Sequence, residues 1–177
     1  MRKNSLFVSV VAFFFWILAV PQWYVAGTDS PGFSETSLSH SNVRRLPFSF
    51  DQVTRYFDDA FEKPGRTVRN NMREYVERNA FDEYAAIVVS GRRQQIKVAL
   101  VTNGDWGVNY IREFFEAPFF LRSEKEQLYT LLNANPSARY ANVGRFDVRI
   151  EVLETYQWIV ISVEFGPSGS YQSPGAR

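Results

Sequence analysis

The sequence predicts an α+β fold in a single domain: an antiparallel sheet of about four strands, made of two hairpins, covered on one face by about four helices. Three observations lead there. Apolar residues recur at helical spacing in four segments, and two pairs of short apolar runs are divided by polar turns. Cysteine is absent, so packing has to hold the body together, and 16 Phe, 9 Tyr and 4 Trp supply the apolar area to do it.

The amino terminus carries Arg2 and Lys3, and Leu6–Val20 is a 15-residue apolar run broken only by Ser9. Pro21-Gln22 ends that run before the small residues Val25-Ala26-Gly27. This order predicts a signal peptide over residues 1–27, cleaved after Gly27, and a secreted or periplasmic product. Fifteen residues fall short of the roughly 20 that a spanning helix needs. Extending the run through Trp23 and Tyr24 gives a marginal span, so the alternative is an uncleaved single-pass anchor, touching the membrane through residues 6–26 with the domain outside the cytoplasm. Residues 28–45, rich in Ser, read as a flexible linker, 46–165 as the globular domain, and 166–177 as a disordered tail.

Within the body, Ser49 and Gln52 have capping-box spacing, and Phe48 with Val53 fits a hydrophobic staple, which starts a helix carrying Phe50, Val53, Phe57 and Phe61. Lys63-Pro64-Gly65 stops it. The positions of Val68, Met72, Tyr75 and Val76 predict a second helix over 68–79. Tyr84–Val89 and Gln95–Thr102 then read as a hairpin with a loop longer than the tightest type. Asp105 is the expected N-cap of a third helix to about Glu116, with Tyr110, Ile111, Phe114 and Phe115 inward. Ser123 and Glu126 repeat the capping-box spacing before a fourth helix that fades at 133–136. Phe146, Val148, Ile150 and Val152 alternate with charged residues as in a strand with one wet face, and the more apolar Gln157–Phe165 should lie nearer the sheet centre.

Composition excludes several function classes. Without Arg2 and Lys3 the 20 basic residues become 18 against 19 acidic, so no broad positive field draws in nucleic acid. His40, the one histidine, lies in the linker, which argues against histidine-based zinc sites and Ser-His-Asp triads, and the missing cysteines remove thiolate chemistry. No cofactor and no metal is expected. Ser90 and Thr102 have no base beside them in sequence.

Two kinds of site remain. Asn103-Gly104-Asp105-Trp106-Gly107 is an unusual run at a strand end, and Phe114-Phe115 with Phe119-Phe120-Leu121 brackets Pro118, a bend that cannot turn every ring to one core. Trp106, Phe115, Phe119 and Phe120 are therefore the expected contact residues of an exported, non-enzymatic domain that binds a protein or an envelope component. The alternative is a carboxylate-dependent, glycosidase-like hydrolase using Asp105 with Glu113 or Glu116, whose carboxyls would have to converge to roughly 5–10 Å. A membrane-tethered structural appendage is the third reading. Arg66, Arg69, Arg73, Arg92 and Arg93 could form a basic patch for anionic lipid or cell-wall polymer, although Glu74 and Glu77 interleave with them as on a solvated face.

Overall fold

The computed structural model describes residues 45–134 and 138–171, all of which fall in one compact unit, Asn42–Arg177. The expected signal or anchor and nearly all of the linker, with His40, lie outside the described residues. Helix α1 (Phe50–Ala60) begins at the predicted capping box, with Gln52 N–H donating to Ser49 Oγ at 3.3 Å and Ser49 N–H to Gln52 Oε1 at 2.7 Å. Phe48 and Val53 are both buried beneath it.

The segment expected to be a second helix is instead a hairpin, β1 (Arg66–Arg69) and β2 (Met72–Arg78), turning at Asn70-Asn71. The spacing of Val68, Met72, Tyr75 and Val76 does suit a helix, but tertiary pairing overrides it. Strand β3 (Tyr84–Arg92) is apolar on both faces and needs a partner on each side, and β2 runs antiparallel to it from Met72↔Ser90 to Arg78↔Tyr84. Its other partner is β4 (Gln95–Thr102), joined by a two-residue turn, Arg93-Gln94, tighter than the loop predicted.

Helix α2 (Asp105–Phe115) follows with Gly104, not Asp105, at the N-cap, and α3 (Arg122–Asn133) has Leu121 there. The Ser123–Glu126 box does not form, because Glu124 occupies the third position and its Oε2 accepts the Leu121 N–H at 2.8 Å. Strand β5 (Ala138–Val143) has no counterpart among the predicted elements, and β6 (Phe146–Thr155) and β7 (Trp158–Pro167) complete the sheet. The strand order is β1-β2-β3-β4-β7-β6-β5, all neighbours antiparallel, with β7 nearer the centre than β6. The expected four strands and four helices are thus corrected to seven strands and, among the described residues, three helices.

The main core lies on one face of the sheet. Tyr75, Ile87, Val98, Leu100, Phe146, Val148, Val163 and Phe165 pack there against Phe57 of α1, Ile111 and Phe114 of α2 and Leu128 of α3. On the other face Ala86, Val88, Ala99, Val101 and Val160 are also buried but stand outside that cluster. Near β5 and β6 this face is crossed by residues 168–171. The buried Asp147 carboxylate accepts the N–H groups of Gly169 at 2.5 Å and Ser170 at 2.9 Å, and Asn142 Nδ2 at 2.9 Å.

Candidate interaction surface

Register places three connections at one end of the sheet: the β2–β3 turn over 79–83, the β4–α2 loop at Asn103-Gly104, and the β6–β7 turn at Tyr156-Gln157. Side-chain amides brace them. Asn79 Oδ1 accepts the Phe81 and Glu83 N–H groups at 2.9 and 3.0 Å, and Asn103 Oδ1 accepts that of Tyr84 at 2.5 Å, linking the first turn to the loop. The Thr102 hydroxyl donates to the Gly104 carbonyl at 2.9 Å and accepts from its N–H at 3.2 Å, so it is committed to the loop.

On this rigid frame two large aromatic side chains face solvent: Phe81 is 87% and Tyr156 103% exposed. The turns that carry them are three strand spacings apart in the sheet, about 14 Å. Leu153, also exposed, lies on β6 three residues before Tyr156, and Tyr84 and Trp158 meet edge to face at 6.0 Å. Burial raises the Tyr84 phenol above its ordinary pKa. Four carboxylates, Asp82, Glu83, Asp105 and Glu154, lie on the elements at this end of the sheet. Arg78 is the cation among them, paired with Asp82 at 2.7 Å and lying 6.0 Å from the Tyr84 ring centre. Of the six exposed large hydrophobic side chains among the described residues, three, Phe81, Leu153 and Tyr156, gather at this end of the sheet.

Sequence reasoning passes over Phe81 and Tyr156. The available signal is a lone aromatic inside a polar turn, Asn79 to Asp82, and another in the polar stretch Glu154–Gln157. Of the residues it does single out, Trp106 lies at this same end, on the helical side, half-buried with its ring edge on to Tyr110 at 5.3 Å. Tyr110 in turn stacks on Phe61 at 4.3 Å and donates to Glu77, and burial first, then that bond, raises its pKa.

The phenylalanine cluster sits elsewhere. Phe115 and Phe120 are buried in the core, and Phe119 is partly buried against Phe48, whose ring contacts Phe119 at 5.0 Å, Phe120 at 5.3 Å and Phe165 at 5.3 Å. The bend at Pro118 turns these rings inward instead of dividing them. Asp105 and Glu113 stand eight positions apart on α2, about 12 Å along its axis, and Glu116 is farther still. Glu116 bonds to Lys125 Nζ at 3.2 Å, which lowers its pKa. The structure does not bring Asp105 together with either glutamate.

Among the described residues, no group of three or more His, Cys, Asp or Glu side chains is placed to hold a metal, and no helix is long and apolar enough to cross a membrane. Comparison of the chain with protein-family models, with curated proteins and with solved structures gives no match.

Proposed function

We propose that this chain is an exported, non-enzymatic interaction module that binds a protein or an envelope component through the braced turn end of its sheet. The observation that carries the reading is the pair of exposed rings, Phe81 and Tyr156, on two separate tips of one rigid edge. Large aromatics anchor interfaces because they bury much area with few rotatable bonds. The carboxylates at the same end of the sheet favour a partner surface bearing positive charge, which would also meet the faces of the rings. Trp106 supports the loop from the helical side, and export rests on the amino-terminal pattern of residues 1–27.

The test places a photo-crosslinking residue at position 81, 156 or 126 of the full chain in its native host. Position 126, on the exposed side of α3, is the control. One adduct common to 81 and 156 and absent at 126 is expected. No adduct at either tip, or the same adduct at all three positions, would overturn the proposal.

A further inference from the structure

The opposite end of the sheet carries the reverse charge. There the β1–β2 turn, the β3–β4 turn and the first described residue of the domain come together, presenting Arg69, Arg92, Arg93 and Arg45, all exposed. A groove of about 350 Å³ opens between the start of α1 and the β3–β4 turn. Arg45 and Arg93 line it together with Leu46, Phe48 and Phe50, and no carboxylate does. Among the described residues Arg45, Arg92 and Arg93 take part in no ion pair, whereas Arg66 and Arg73 from the same stretch of sequence are paired with Glu74 and Asp58. Arg93 also has φ 56, in the left-handed region where glycine is usual at the first position of such a turn.

We infer that this groove, lined by Arg45 and Arg93 and flanked in sequence by the exposed Arg92, binds the phosphate headgroups of an anionic bilayer. Guanidinium groups suit phosphate because two parallel N–H donors meet two oxygens. The apolar floor of Leu46, Phe48 and Phe50 suits the glycerol ester region beneath a headgroup better than a free ion. Were the amino-terminal run Leu6–Val20 retained as the alternative anchor, the chain leading from it would enter the domain at Arg45. This inference concerns a different surface from the aromatic tips and stands or falls separately.

The test sediments the full chain with phosphatidylcholine vesicles and with vesicles containing phosphatidylglycerol, at low and high salt. Arg2, Lys3 and the apolar run contribute equally to every variant, so the comparison is Arg45→Gln/Arg92→Gln/Arg93→Gln against wild type, with Arg78→Gln at the far end as control. Each arginine beside an anionic surface strengthens binding about fivefold, so the triple variant should lose about 100-fold on phosphatidylglycerol at low salt and nothing on phosphatidylcholine. Arg78→Gln should bind as wild type, and matching circular dichroism shows that the variants fold. Equal binding of wild type and triple variant to phosphatidylglycerol overturns the inference. So does loss of the difference between wild type and triple variant in millimolar inorganic phosphate at constant ionic strength, which would make a free anion the occupant.

Discussion

Glu124, with no exposed surface, receives both Arg145 Nε and Nη2 at 2.8 Å on its two carboxylate oxygens. The same carboxylate accepts the N–H groups of Leu121 at 2.8 Å and Arg145 at 3.2 Å, and Arg145 Nη2 also donates to the Phe119 carbonyl at 2.8 Å. One ion pair therefore ties the start of α3, the bend after α2 and the β5–β6 turn. Burial pushes the Glu124 pKa up, but these hydrogen bonds and the guanidinium charge outweigh it and leave it lowered.

Replacing Glu124 with Gln should destabilise the domain by about 2 kcal/mol at pH 7, less than the loss of a fully buried pair because Arg145 remains 40% exposed. A lowered folded pKa means that the carboxylate's contribution is present above the unfolded value near 4.3 and is lost as pH falls through the folded one. Urea unfolding at pH 7 and pH 3 checks both parts. The gap between wild type and variant should shrink in acid, and a gap independent of pH would show that the charge plays no part.

Tyr75 is buried, and its hydroxyl donates to the Thr54 carbonyl of α1 at 2.8 Å, joining the second strand of the sheet to the first helix. Burial, the largest influence, lifts its pKa to about 12. Tyr75→Phe keeps the ring and removes the bond, which should cost about 1 kcal/mol. Several buried tyrosines should ionise only on unfolding, so alkaline difference spectroscopy should count one fewer such tyrosine in the variant than in the wild type.

That contact also marks where the sequence misleads. Arg73, Tyr75 and Glu77 share the helix-covered face of β2, and the two charged residues find partners there, Arg73 with Asp58 and Glu77 with Tyr110. Both faces of the strand thus mix polar with apolar residues, period two is lost, and a helical stripe takes its place. The Asn70-Asn71 turn is the local signal that points the other way. By contrast α1 is legible because its cap is local, and β6 because Asp147, Arg149 and Glu151 alternate with its apolar positions. The contact surface is hardest to read, since Phe81 and Tyr156 come together only through the order β3-β4-β7.

Gly107 packs the first turn of α2 against the end of β4. A Cβ added there would stand 2.5 Å from Thr102 Cβ and closer still to its hydroxyl. Intrinsic helix propensity favours alanine over glycine by about 1 kcal/mol, so a neutral contact would make Gly107→Ala stabilising. Overlap with the fully buried Thr102 should reverse the sign and destabilise the domain by about 2 kcal/mol. The urea midpoint decides, and a raised midpoint would show that α2 does not press on the strand.

Tyr156 sits at φ 58 in the two-residue turn between β6 and β7, a place where glycine is unstrained and a side chain costs about 1 kcal/mol. Its ring is fully exposed, so no packing among the described residues offsets that cost. Tyr156→Gly should therefore raise stability by up to about 1 kcal/mol, partly reduced by the greater freedom of glycine in the unfolded chain. Crosslinking from position 81 to the partner should fall in the same variant. Thermal unfolding and crosslink yield are measured together: gained stability with lost contact marks a tyrosine kept for binding, whereas unchanged yield would remove Tyr156 from the interface.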